Sequence, residues 1–248
     1  MPNSTPRWPL TGLPLLCSHL SKAVRNPRRV PGAALRRLFP SHPRLGYRWL
    51  RLADGSITFR EQGFVAASSP SILLARHNYE TCYLRSFLSM VESNRSLEVG
   101  CGYGRLTPII ASLSRHHTAI DINMDALITG RRTYPKYNFC RTSAISLPFP
   151  GEVFDLVCTW TVLQHIPPDR IAMACAELQR CLAPGGRLLL CEETRHPNEE
   201  DPRLSTWHRY PETYERLFSR LTLQRSTYID ELDQIPGSQS PGRLMLFS

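Results

Sequence analysis

Acidic residues are almost missing from the first quarter of this 248-residue chain. Residues 1–60 hold 11 Lys or Arg against a single acid, Asp54, while the remainder is close to neutral, so the formal charge of +9 belongs to the N-terminal end. Such a concentration attracts RNA, anionic lipid, a phosphorylated sugar or a nucleotide through long-range electrostatics, and a solvated basic arm has the same composition. Also missing is any CxxC pair among the eight cysteines at 17, 82, 101, 140, 158, 175, 181 and 191. Most of them lie in apolar stretches, where a thiol packs as a small hydrophobe; this argues against a disulfide framework and for a reduced, intracellular chain. The eight histidines show no ligand spacing beside paired cysteines, so no metal site is expected. No apolar run approaches the roughly 20 residues that a membrane-spanning helix needs. The longest early patch, Leu10 to Leu16, is interrupted by Gly12 and Pro14 and makes a poor secretory signal. The expected location is cytoplasmic. Peripheral contact with the inner membrane surface stays open, because residues 8–39 mix Trp8, Leu20, Leu35 and Phe39 with Arg25, Arg28, Arg36 and Arg37, although Pro27 and Pro31 divide that stretch. A GKS or GKT segment is absent as well, which removes the phosphate-binding loop of nucleotide triphosphatases.

What is present suits a folded domain: 42% hydrophobic and 21% charged residues suffice to fill a core and keep it in solution. Residues 1–70 read as a basic N-terminal extension, with a hairpin between Tyr47 and Phe64 turning at Asp54-Gly55. From Pro70 to Val91 the pattern becomes helical, with Leu73, Leu74, His77, Leu84, Phe87 and Leu88 on an apolar face. Beyond it, short apolar strands at 96–99, 118–122, 138–141, 154–159 and 187–192 alternate with helices at 105–114, 124–133 and 168–182. That recurrence predicts crossover units around a parallel sheet. Leu221–Ile229 and Arg243–Phe247 add two strands that pair as a long-loop antiparallel hairpin. The fold class is therefore α/β, a Rossmann-like, mostly parallel seven-stranded sheet flanked by helices, with an antiparallel C-terminal strand.

The chemistry centres on Leu97-Glu98-Val99-Gly100-Cys101-Gly102-Tyr103-Gly104-Arg105, an apolar strand running into three alternating glycines and then a helix. Glycine allows a tight turn and close approach of a ligand, and the following helix start offers free N–H groups. Asp121 follows Ala119 and Ile120 at the end of the next strand, 21 residues after Gly100. In a doubly wound sheet its carboxylate faces the same crevice and can hold vicinal ribose hydroxyls; capping of the helix that starts near Asn123 is the competing role. A dinucleotide is disfavoured, because its third glycine belongs where this chain has Arg105.

Taken together, these motifs resemble the class I S-adenosylmethionine-dependent methyltransferase family over approximately residues 76–248, which makes 71–248 the methyltransferase domain. The resemblance implies S-adenosyl-L-methionine as cofactor. Glu98, Gly100, Cys101, Gly102 and Gly104 match the loop at its amino-acid end, Asp121 the ribose acid, and Thr142 to Phe149 the adenine-side loop, with Ser143 where aspartate is common and Ala144 beside it. Ile122 and Met124 flank the nucleoside, and Thr159 closes the fourth strand. Leu182-Ala183-Pro184-Gly185-Gly186-Arg187-Leu188 resembles the family's turn into strand five.

Transfer of a sulfonium methyl needs alignment of the acceptor and, for a hydroxyl, a base. His165, in the run after the fourth strand, is the first candidate; Glu193 and His208 are secondary acid–base candidates in the polar connection after strand five. Trp160, Thr161, Gln164, Tyr79 and Tyr83 are expected to shape the acceptor pocket, joined by Trp207, Arg209 and Tyr210, with Arg209 suited to a carboxylate or phosphate. The expected reaction is O-methylation of a small hydroxylated metabolite or saccharide, a lipid-linked glycan included. The alternatives are an RNA or protein methyltransferase, favoured by the basic N-terminus, and a noncatalytic nucleoside-binding scaffold. Oligomeric state is left open by the sequence.

Overall fold

A computed structural model of the chain describes residues 48–51, 57–61, 65–67, 70–89, 91, 93–194, 200–201, 206–236 and 241–248. Residues 1–47 lie outside them, and with them most of the basic segment on which contact with lipid or RNA was expected. Strands β1 (Arg48–Arg51), β2 (Ile57–Glu61) and β3 (Val65–Ala67) form a separate antiparallel sheet. Arg51 pairs with Ile57 across β1 and β2, and the expected Asp54-Gly55 turn falls outside the described residues.

The main sheet is built from β4 (Ser93–Val99), β5 (Ser114–Asp121), β6 (Asn138–Arg141), β7 (Phe154–Trp160), β8 (Leu182–Glu192), β11 (Leu223–Tyr228) and β12 (Arg243–Phe247). Its order is β11-β12-β8-β7-β4-β5-β6. Neighbours from β8 to β6 are parallel, and β12 runs antiparallel between β11 and β8. The chain starts this sheet in the middle, at β4, builds outward to β6, then returns to the other side with β7. That reversal makes a topological switch point at the C-terminal ends of β4 and β7, the place where open α/β sheets receive ligands.

Period-two alternation sorts the central strands onto two faces. Val157, Leu188 and Leu190 pack with Ile171, Cys175 and Leu178 of helix α4 (Ile171–Cys181) and with Tyr214 of α5 (Pro211–Leu217). Leu156, Cys158, Leu189 and Cys191 face the other way, against Tyr79, Leu84, Phe87 and Leu88 of α1 (Pro70–Leu88) and Ile110 of α2 (Thr107–Ala111). Being covered on both sides is why these strands read as nearly unbroken apolar runs. Each fully buried leucine contributes about 2 kcal/mol of hydrophobic stabilisation.

Helix α3 (Met124–Thr133) begins where the sequence predicts, because the Asn123 side chain accepts hydrogen bonds from the Asp125 and Ala126 amides at 3.0 and 3.1 Å. The helix expected over 105–114 shrinks to α2. Residues 100–106 are held in the glycine turn, and β5 starts at Ser114, earlier than predicted. Two short strands, β9 (Glu200–Asp201) and β10 (Thr206–Trp207), pair in the connection after β8. Among the described residues no helix is long and apolar enough to cross a membrane.

Candidate active site

The glycine turn is left-handed at all three positions, with φ of 73° at Gly100, 55° at Gly102 and 86° at Gly104. A side chain is strained in that region, and at Gly100 and Gly104 it would also meet protein. A Cβ on Gly100 would lie 2.2 Å from Val162 Cγ2, and one on Gly104 would lie 2.7 Å from the Phe139 ring. The turn is pulled against its neighbours by backbone bonds, the Gly100 and Cys101 amides donating to the Ile120 carbonyl at 2.8 and 2.9 Å.

Asp121 closes the same corner. One carboxylate oxygen accepts from the Gly102 amide at 2.8 Å and the other from the Asn123 amide at 2.7 Å. Asn123, not Asp121, caps α3. An ionised carboxylate has about four acceptor positions, so the two bonds leave capacity for a pair of hydroxyls. Next to it the Thr142 amide donates to the Asp121 carbonyl at 3.1 Å, bringing Ser143 and Ala144 alongside. Ile122 is 67% exposed and Met124 39%, a bare apolar wall beside a carboxylate. Adjacent acid, amide-rich turn and uncovered hydrophobes fit a nucleoside with a polar tail; the strand-one glycines and strand-two acid meet in a single corner.

Other expected cofactor residues lie beneath this surface. Glu98 is buried and accepts from the Thr107 hydroxyl, with His117 Nε2 at 3.5 Å. Cys101 is buried and, chiefly by burial, its thiol is pushed well above its usual range. Thr159 is buried with its hydroxyl donating to Glu192 at 3.3 Å.

The turn after β7 carries several of the residues expected to meet the acceptor. Thr161 adopts φ 55°, uncommon for a β-branched residue, and its amide donates to the Cys191 carbonyl at 2.7 Å. A 3-10 turn, Leu163–His165, follows. His165 is exposed at its end, while Gln164 is buried and accepts from the Glu193 amide at 2.9 Å. Trp160 packs in one cluster with Tyr79 and Tyr83. Tyr83 donates to the Glu231 carboxylate at 2.8 Å, tying α1 to the segment after β11. Trp207 and His208 are half-buried, and Tyr210 is exposed at the start of α5. Arg209 points inward: its guanidinium donates to the carbonyls of Leu163, Trp207 and Ile166, so its donors hold the His165 turn.

Sequence reasoning passed over two buried acids. Glu80 on α1, fully buried, pairs with Arg76 and with Arg105 of the glycine turn. Its sequence signal is weak, a polar residue at an apolar helical phase. Glu192 is also fully buried, and its signal is stronger: an acid closing the wholly apolar run Leu188-Leu189-Leu190-Cys191.

Residues 97–190 match the model of the methyltransferase domain family, the span that contains the glycine turn, Asp121 and the His165 turn. Over this span the matches support a class I S-adenosylmethionine-dependent methyltransferase domain. It is 30% identical over 158 residues to a fatty-acid O-methyltransferase of Mycolicibacterium smegmatis, covering 59% of this chain and 57% of that protein. A ubiquinone biosynthesis O-methyltransferase of Xanthomonas euvesicatoria is 34% identical over 110 residues, 42% of this chain and 44% of the other. The chain thus spans about half the length of the curated relatives it matches. Among solved structures, a SAM-dependent methyltransferase of Leishmania major superposes with a TM-score of 0.61 at 18% identity, over 72% of this chain and 76% of that one, which speaks for the fold. S-adenosylmethionine is the cofactor of this family; in the corner formed by Gly100, Gly102, Gly104 and Asp121 the carboxylate keeps acceptor capacity for hydroxyls, while the three glycine amides already donate to Ile120, Asp121 and Cys101.

Proposed function

We propose that this chain transfers a methyl group from S-adenosylmethionine to a small hydroxylated metabolite or saccharide, by O-methylation with His165 as the base. The observation that carries the reading is the single corner in which Asp121 binds the Gly102 amide while Ile122 and Met124 stand bare beside it. The cofactor, when bound, supplies an electrophilic methyl on a sulfonium. The chain's own work is then to orient the acceptor and take up its proton. His165 fits that second task by its exposed position on the turn after β7, at the C-terminal edge of the sheet. Trp160, Tyr79 and Tyr83 offer an apolar wall for the acceptor, and Gln164 and Thr161 polar edges. Glu193, joined to Gln164 through its amide, and His208 are secondary acid–base groups in this scheme. Two of the relatives carry O-methyltransferase in their names, which supports oxygen as the acceptor atom.

The test is transfer of labelled methyl into cell extracts followed by mass analysis of what becomes labelled. A small oxygen-methylated product is expected, and label in RNA or protein would overturn the substrate class. His165→Ala should keep S-adenosylhomocysteine affinity while turnover drops about 100-fold or more, the usual contribution of a general base. Undiminished turnover in that variant would remove His165 from the role.

A further inference from the structure

Glu192 sits at the end of β8 with no exposed surface, and its carboxylate lies under the turn that carries His165. One oxygen accepts from the Val162 amide at 3.2 Å, the Leu163 amide at 3.0 Å and the Thr159 hydroxyl at 3.3 Å; the other accepts from the Gln164 amide at 3.0 Å. Three consecutive N–H groups therefore converge on one side chain. The opposite end of the turn is gripped by Arg209, whose Nη1 and Nη2 donate to the carbonyls of Leu163 and Ile166. These bonds reach the cofactor corner through one contact, because the Val162 side chain fills the space over Gly100 where a Cβ would be.

Resting on the methyltransferase reading above, we propose that Glu192 and Arg209 are positioning residues that clamp the 162–166 turn from its amide and carbonyl ends, holding Val162 against the glycine turn and His165 at the crevice. Neither needs to touch substrate or cofactor. The geometry also makes the clamp responsive to protons. A proton on the oxygen that serves Gln164 replaces an acceptor with a donor and breaks that bond. Burial lifts the Glu192 carboxyl to about 7, against the opposing pull of the three amides and Thr159. Among the groups around it, burial raises Cys175 of α4 to about 12 and pushes Tyr214 of α5 and the adjoining Cys191 far upward. The clamp is complete when Glu192 is ionised and loses its third amide when it is protonated.

The experiment uses the full chain and two readouts, amide exchange across the peptide containing 162–166 and calorimetric affinity for S-adenosylhomocysteine, each followed through the neutral pH range. In the wild type, protection of the turn relative to its intrinsic exchange rate and affinity should both rise with pH, with a midpoint near 7. Glu192→Gln should lower both, the affinity by about tenfold as one charge-assisted bond is lost, and should abolish the pH dependence. Arg209→Lys, which keeps the charge but not the forked donors, should expose the turn while leaving the midpoint in place. It also provides the test if the Glu192 variant does not fold. Turn protection equal to wild type in both variants would overturn the clamp. If the wild type failed to bind S-adenosylhomocysteine while the variants still freed the turn, the clamp would stand and the methyltransferase reading would fall.

Discussion

Asp121 shows how much a single side chain organises here, since it holds the first strand's glycine turn and the second strand's end at once. Asp121→Ala would leave the Gly102 amide without its acceptor and remove the acid proposed to hold the nucleoside. A bond to a charged group is worth about 1.5–3 kcal/mol, so S-adenosylhomocysteine affinity should fall about 10- to 100-fold by calorimetry. Unaltered affinity would mean that the acid serves only to fold the corner. At this scale spacing was informative: alternating glycines and a strand-terminal acid have backbone requirements that residue type alone reveals. Direction was not. Glu98, Thr159 and Arg209 occupy motif positions or suit ligand chemistry, yet their polar atoms face Thr107, Glu192 and the carbonyls of 163 and 166 respectively. A strand's pleat and a long side chain's rotamer decide such things, and both depend on what packs alongside.

Helix α1 is fastened to the glycine turn by charge. Glu80 bridges Arg76, one turn before it on the helix, and Arg105, which follows Gly104. Burial alone would raise the Glu80 carboxyl, but the two guanidinium groups together hold it below the usual carboxylate value. The sign follows: this contribution to stability is present above about 4.5 and is lost as pH falls through the lower, folded-state value. Glu80→Ala leaves two cations short of their partner, and breaking such a buried group costs about 3–5 kcal/mol. Thermal unfolding at neutral pH should show the loss, and the gap between variant and wild type should narrow in acid. A gap independent of acidification would count against the ion pairs as its source. The helix itself was legible from Leu73, Leu84, Phe87 and Leu88, and an acid at an apolar phase looks like noise until Arg105 is seen to reach it. The predicted helix over 105–114 was cut to α2 because the glycine turn keeps residues 100–106 out of helical geometry.

Over the whole molecule, Glu80 and Glu192 act in separate pH windows. Glu192 has its carboxyl raised from 4.5 to about 7, so its contribution to stability is complete below about 4.5 and is gone once pH passes about 7. The difference amounts to about 3 kcal/mol. Chemical denaturation of wild type and Glu192→Gln between these limits should show the wild type losing stability with rising pH relative to the variant. Parallel curves would place the Glu192 titration outside that interval.

The sequence by itself determined the layered sheet, the order of strands and helices and the corner where the glycine turn meets Asp121, because period-two and helical apolar patterns, Asn123 as a cap and the Gly100-Cys101-Gly102-Tyr103-Gly104 turn act over a few neighbouring residues. Only the tertiary structure decided which polar groups face the crevice and which hold it in shape. Glu80 finds Arg105 from 25 residues away, Glu192 finds the 162–164 amides from about 30, and Arg209 finds Leu163 from 46. Partnerships at that separation are settled when crossovers bring strand ends together, and removal from water then binds each charge to its nearest available donor or acceptor.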